Sequence, residues 1–132
     1  LESFLTARYP GLLSQVKLLD PVPHRIALKL MSCSDALLFT ETSETEYASQ
    51  RGVLTTKLFE YMACKRPIIG VIAPETLAGN LIIGSGLAAV LTDKVETLQQ
   101  WLDELTSNTK PNDQFIQQFS RDMQFSQIAH HV

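Results

Sequence analysis

The residues best suited to chemistry lie together at a predicted helix start. Lys57 carries a positive charge in the first turn, and Glu60 follows three residues later on the same helix face. The free backbone N–H groups at Leu54, Thr55 and Thr56, together with the helix dipole, form a ready anion site. A cation in the first turn is unfavourable for the helix by itself, so an anionic partner would explain Lys57. The Glu60 carboxylate could then accept two hydrogen bonds from a ribose diol.

The same two residues also allow a simpler interpretation. Lys57 and Glu60 have the spacing of a solvated ion pair on one helix surface, worth a few tenths of a kcal/mol. Charged pairs of this kind are common on helix surfaces and need no ligand. The residues alone leave both interpretations open.

Helices and strands are predicted to alternate around this pair. Short apolar runs predict strands at residues 16–19, 36–39, 68–73 and 87–91, and the run 36–39 is typical of a strand buried on both faces. Helical spacing predicts helices at residues 24–33, 55–64, 76–83 and 93–105, with terminal helices carrying Phe115, Phe119 and Met123. This alternation predicts an α/β fold, a Rossmann-like parallel sheet with helices on both faces. Ligands of such sheets bind at the carboxyl ends of the strands.

Four stretches resemble the donor-binding half of the retaining, group-1 type of GT-B glycosyltransferases. The most specific is Lys57-Leu-Phe-Glu60-Tyr-Met-Ala63 followed by Pro67-Ile-Ile69, which matches that family's pattern K-L-x-E-Y-x-A-x-x-x-P-I-I. The other stretches are similar in order and spacing to G-x-V-P-H/S, A-D-V-L-L and I-I-x-x-S-G-x-G-x-V: Pro21-Val-Pro-His24, Ser34-Asp35-Ala-Leu-Leu38, and residues 82–90. The resemblance covers residues 16–105.

The resemblance implies a site for a nucleotide-diphosphate sugar, used as substrate with no further cofactor. In that family the glutamate at the Glu60 position binds the ribose hydroxyls, and the turn at Val22-Pro23 lies against the base. Backbone amides at the helix start, here 54–56, face the diphosphate, and Lys57 would add charge if it points inward. The sugar would pass to an acceptor with retention, as in polysaccharide or glycoconjugate biosynthesis. Gly52 stands where many members have a second glutamate that contacts the sugar.

The resemblance also implies that residues 1–132 form a partial C-terminal domain. The chain opens Leu-Glu-Ser, after the position of the family's first two strands, and the N-terminal acceptor domain would be missing. We therefore expect this fragment to be inactive alone. Without those strands an apolar sheet edge is exposed, which predicts either a homodimer through that edge or a shift of the strand at 16–19 to pair beside 36–39.

Composition and the remaining motifs exclude several classes. The chain has 132 residues, 11 Lys and Arg against 14 Asp and Glu, and no cationic stripe, which argues against nucleic-acid binding. No apolar run is long enough for a transmembrane segment. The sequence contains no D-x-D pair, so nothing in it suggests a bound divalent cation, and His130 and His131 make a poor zinc site. The glycines at 84 and 86 follow a helix rather than a strand, which is wrong for a dinucleotide fingerprint. Cys33 and Cys64 predict buried free thiols and a cytoplasmic location.

Two alternatives to a transferase remain. The chain could be a non-catalytic α/β binding or interaction domain that kept the fold and lost the donor, since a fold does not fix a function. It could also be a nucleotide-sugar epimerase with the same binding site. Nucleotide binding separates the first alternative from a transferase, and only the product separates the second.

Overall fold

The computed structural model describes residues 7–8, 11, 14–40, 55–92, 109–120 and 122. Within these ranges helices and strands alternate along the chain as the sequence predicts. The elements are α1 (His24–Ser32), β1 (Leu37–Thr40), α2 (Thr56–Cys64), β2 (Ile68–Val71), α3 (Leu77–Gly84), β3 (Ala88–Thr92) and α4 (Asp113–Gln117).

The three strands form an open parallel sheet whose order, β1-β2-β3, follows the chain. Leu37 pairs with Ile68 between the first two strands, and Ile68 pairs with Ala88 between the last two. Parallel neighbours need a crossover that returns the chain to the starting edge, and α2 and α3 provide it. The protein is therefore mixed α/β, and its sheet and crossovers are compatible with a Rossmann-like fold.

Burial alternates along the first two strands. In β1 Leu37 and Phe39 are buried, whereas Leu38 is 55% exposed, and β2 alternates between buried and half-buried residues. The two faces of this part of the sheet are therefore covered unequally. The prediction that residues 36–39 are buried on both faces is wrong, because Leu38, on the second face, is exposed.

The core lies between the buried sheet face and the crossover helices. Helix α2 contributes Leu58, Tyr61 and Met62, as its predicted apolar stripe requires. The Tyr61 ring meets Phe39 edge-on, with ring centroids 6.3 Å apart. The remaining buried residues of the cluster come from β1, β2, the helices α3 and α4 and the segments beside them: Leu37, Ile68, Ile72, Ala78, Leu81, Ile82, Leu87 and Ile116.

The carboxyl-terminal part of the described chain packs onto this core through aromatic rings. Phe119 lies 5.6 Å from Phe59 of α2 and 5.3 Å from Phe115, measured between ring centroids. A side chain at Gly84 would collide with Phe115, since its Cβ would lie 2.5 Å from the Phe115 Cζ. Phe115 and Phe119 of the predicted terminal helices therefore pack against the core. Met123 and the predicted helix at 93–105 lie outside the described residues.

Two predictions about the amino-terminal part are wrong. Residues 16–19 form no strand and do not pair beside β1; Val16 and Leu19 are 38% and 55% exposed. An apolar run needs a neighbouring strand for its backbone groups, and β1 offers its edge to no described residue. The predicted burial of both thiols also fails, because Cys33 ends α1 at the surface and Cys64 is half-buried, although both are free. The homodimer through the β1 edge stays a prediction.

Candidate functional site

Helices α1 and α2 lie side by side with the same direction; two polar contacts join them, and a third joins α1 to the segment after α2. His24 at the start of α1 contacts Glu60, Cys64 contacts the carbonyl of Leu28 at 3.9 Å, and the Arg66 Nε donates to the carbonyl of Ser32 at 2.6 Å. Residues later in α1 contact residues later in α2 and in the segment after it, so the two helices run in the same direction. We call this contact line the α1–α2 seam.

Glu60 contacts His24 at the end of the seam where α1 begins. The His24 Nε2 and the Glu60 Oε1 are 3.0 Å apart, and the two side chains are 67% and 35% exposed. An ionised carboxylate only accepts hydrogen bonds, so the Nε2 must carry the proton and donate it. The carboxylate is therefore fixed by one partner and still reachable from solvent.

Lys57 does not form the simpler ion pair that the sequence allowed. Its Nζ lies 5.5 Å from the centroid of the Tyr61 ring, one turn further along α2. The hydroxyl of Tyr61 in turn donates to the carbonyl of Leu38 at 3.3 Å, so Lys57 is associated with the β1 side of α2. Among the described residues the ion-pair partner of Glu60 is His24. Lys57 and Glu60 thus contact different residues, Tyr61 and His24.

The turn at Val22-Pro23 lies directly before His24 and so beside Glu60. Pro23 is the N-cap of α1, and its carbonyl accepts from the N–H groups of Ile26 and Ala27 at 2.8 and 3.2 Å. Proline suits this position because its missing N–H would have had no partner in the helix. Both turn residues are exposed, with Val22 at 40%. The structure therefore brings together two pieces of the predicted site that are far apart in sequence.

The N-cap residue of α2 makes no side-chain cap, a feature that the start of α2 shares with the start of α1. Thr55 is the N-cap residue with an extended backbone, but its side chain makes no capping hydrogen bond and no acidic residue lies in the first turn. By contrast, Thr76 accepts from the N–H of Gly79 at 3.1 Å at the start of α3, and Asn112 caps α4 in the same way. Thr55, Thr56 and Lys57 are all exposed. Among the described residues this helix start therefore has a cation in its first turn and no capping side chain.

The topology fixes where this helix start lies. Helix α2 ends three residues before β2 begins, and it must run against the strands to connect two parallel neighbours. Its first turn therefore lies toward the carboxyl ends of the strands, the edge at which open α/β sheets bind ligands. The seam carries His24 and Pro23 to the same edge.

Two predicted site residues, Leu54 and Gly52, lie outside the described residues, as do His130 and His131. In the described ranges no group of three or more His, Cys, Asp and Glu side chains could hold a metal ion. None of the helices in those ranges is both long enough and apolar enough to cross a membrane.

Sequence reasoning missed the contact between His24 and Glu60. It gave His24 no partner, and it offered Lys57 as one possible partner of Glu60. His24 and Glu60 are 36 residues apart, on two helices that flank one strand. This spacing predicts a contact only if the two helices are parallel neighbours. Nothing in either helix alone states that.

Comparison with known proteins found no match, either to a family model or to a curated protein or solved structure.

Proposed function

We propose that this protein binds a nucleotide-diphosphate sugar as the donor-binding part of a GT-B glycosyltransferase of the retaining type. One observation supports this above the others: the Val22-Pro23 turn, the Glu60 carboxylate and the uncapped start of α2 converge at the carboxyl edge of a parallel sheet. A nucleoside diphosphate has three parts, an apolar base, a diol and an anion. The turn, the carboxylate and the helix start are suited to the base, the diol and the anion, in that order.

Each group has a role that its chemistry allows. Glu60 would accept hydrogen bonds from the ribose hydroxyls, and Val22 and Pro23 would lie against the base. The N–H groups at the start of α2 would receive the diphosphate, whose charge favours a helix N-terminus. As the sugar leaves, negative charge grows on that diphosphate, and fixed dipoles aimed at it lower the barrier. Lys57 would contribute by leaving the Tyr61 ring, to which a cation–π contact of about 0.5–1 kcal/mol holds it.

The acceptor and the groups that activate it are assigned to the N-terminal domain that the resemblance implies. We therefore expect residues 1–132 to bind donor nucleotide without transferring sugar. The cytoplasmic location is part of the same proposal.

A nucleotide titration followed by heteronuclear NMR tests the proposal. The chain is titrated separately with UDP, GDP and ADP, and the amide signals of residues 55–60 are followed. We expect saturable shifts with one nucleotide, and a loss of affinity of about 10- to 100-fold in Glu60→Ala, the range for hydrogen bonds to a charged group.

Glu75→Ala is the matched control, because Glu75 is an exposed glutamate beside the start of α3 rather than α2. Its affinity should equal that of the unchanged chain. Silence with all three nucleotides at millimolar concentration contradicts the proposal, and so does binding that Glu60→Ala leaves unchanged.

A second candidate, a non-catalytic interaction domain, is favoured by a different observation. Several large apolar side chains before and within α1 are exposed: Val16, Leu18, Leu19, Val22, Ile26 and Leu30. Exposed apolar groups that lie close together often mark contact surfaces. This candidate predicts no nucleotide-dependent shifts, so the same titration separates the two.

A further inference from the structure

We infer that His24 is a positioning residue that holds the Glu60 carboxylate ready for a ribose diol and so makes the site discriminate ribose from deoxyribose. The inference rests on the proposed function and extends it to a residue and to a selectivity. It starts from the 3.0 Å contact between the His24 Nε2 and the Glu60 Oε1.

The geometry leaves the carboxylate enough free acceptor capacity. An ionised glutamate offers about four acceptor positions on its two oxygens, and the histidine uses one of them on Oε1. The second oxygen and the rest of Oε1 remain for two hydroxyl donors. Because the Glu60 side chain is 35% exposed, a ligand can reach them.

His24 is itself held in place by the helix that carries it. Its backbone follows Pro23, whose fixed φ begins α1, and the far end of α1 is joined to the α2–β2 connection by Arg66 and Ser32. The imidazole therefore reaches Glu60 from a fixed backbone. The described residues bring no cation to Glu60 that could replace it, since Lys57 lies over Tyr61.

The expected gain is one of preorganisation. A free glutamate side chain loses rotamer freedom when a ligand fixes it, and that loss corresponds to about tenfold in a binding constant. An exposed pair such as His24 and Glu60 contributes at most about 1 kcal/mol, so His24 can spare the ligand up to about fivefold of this cost. A 2′-deoxynucleotide offers the carboxylate one hydroxyl, which a reoriented side chain can still meet, whereas the two hydroxyls of a ribonucleotide need both oxygens in one orientation. A carboxylate that is already oriented therefore favours the ribonucleotide more.

The test compares UDP, GDP or ADP, whichever binds, with its 2′-deoxy form, in the full chain and in three variants. His24→Gln places an amide N–H at about the reach of the Nε2, His24→Asn stops short of it, and His24→Ala removes the group. We expect a ribose preference of about tenfold in the unchanged chain, about twofold in His24→Ala and His24→Asn, and recovery in His24→Gln. Because His24 is 67% exposed, all three variants should fold, which their amide spectra will show.

The outcomes distinguish the inference from the proposed function. If Glu60→Ala weakens binding but all three His24 variants keep the full ribose preference, the site is a nucleotide site and the inference is wrong. If no nucleotide binds the unchanged chain, both are wrong.

A measurement without ligand tests the contact itself. The ring nitrogen signals of His24 should show a proton fixed on Nε2 and should change in Glu60→Ala but not in Glu75→Ala. Unchanged signals would also overturn the inference.

Discussion

Helices α1 and α3 are almost equal in length, yet they are attached to the protein in different ways. Helix α3 has eight residues and buries Ala78, Gly79, Leu81 and Ile82. Helix α1 has nine residues and buries none, while Ile26 and Leu30 are 38% and 45% exposed. The first is held by packing, whereas the second packs only Met31 against the core cluster and adds the polar contacts of the seam.

The difference follows from residue type and from neighbours. Helix α3 is almost entirely apolar and buries one side, although Leu77 and Ile83 are 42% and 51% exposed. Its start passes so close to the chain before it that a Cβ at Gly79 would lie 2.5 Å from the carbonyl oxygen of Pro74. Helix α1 has His24, Arg25 and Lys29 on one side and an apolar side that the described residues cover only in part. The candidate site therefore lies on the less tightly packed half of the molecule, where a ligand can add contacts that the fold lacks.

The sharpest way to test this comparison is the same substitution in both helices. Ile82 is fully buried in α3, and Ile82→Ala should lower the free energy of unfolding by about 2–5 kcal/mol, from lost transfer energy and a residual cavity. Ile26→Ala in α1 is the matched variant and should cost less than about 1 kcal/mol. Urea unfolding followed by circular dichroism measures both. Equal losses would show that α1 is packed as firmly as α3.

A second test acts on the turn that leaves α3. Gly86 has φ +70°, and a Cβ there would collide with the carbonyl oxygen of Lys110. Gly86→Ala should therefore cost about 3 kcal/mol, from the left-handed backbone and the displaced Lys110 segment. Gly11→Ala is the control, since nothing lies within 4 Å of its Cβ, and should change stability by less than about 0.5 kcal/mol. Thermal unfolding of both variants gives the answer. A tolerated Gly86→Ala would mean that the turn is not firmly held.

The smallest expected effect is a gain in stability at the end of α2. Lys65 has φ 53°, a left-handed conformation that glycine adopts without cost. Its Nζ also pairs with Asp113 at 2.8 Å, but both side chains are about half exposed, so the pair contributes little. Lys65→Gly should raise the free energy of unfolding by about 0.5 kcal/mol.

Asp113→Asn serves as the control for that variant, because it removes the ion pair and keeps the backbone. It should lower stability by less than about 0.5 kcal/mol. Chemical denaturation with matched slopes resolves differences of this size. A loss in Lys65→Gly larger than the loss in Asp113→Asn would mean that the backbone argument is wrong.

The sequence predicted the parts of the fold that depend on local pattern. Periodicity located α2 with its buried stripe, and apolar runs located β2 and β3 to within a few residues, because burial of these elements is decided by their own side chains. It failed at residues 16–19, where the same apolar run forms no strand. A strand depends on a neighbour, and no feature of the run says whether that neighbour exists.

The candidate site, too, was predictable from the sequence only where it depends on local pattern. The exposed helix start at Thr55 and Thr56 followed from local sequence, and so did the position of Glu60 on α2. The partner of Glu60 did not, since His24 lies 36 residues away on another helix. Local spacing favoured Lys57 instead, and the cation–π contact with Tyr61 drew that side chain away. Side-chain pairing depended on tertiary placement.

The exposed thiol of Cys33 has a practical consequence for labelling chemistry. Cys33 follows the last residue of α1, and the nine residues of that helix separate it from His24 by about 13 Å. A thiol-reactive dye at this position would report on the attachment of α1 without touching Glu60. Cys64 is half-buried beside Leu28, and replacing it leaves a chain with a single thiol. Cys33 thus provides a natural position for a fluorescent label, at the end of α1 that is remote from the candidate site.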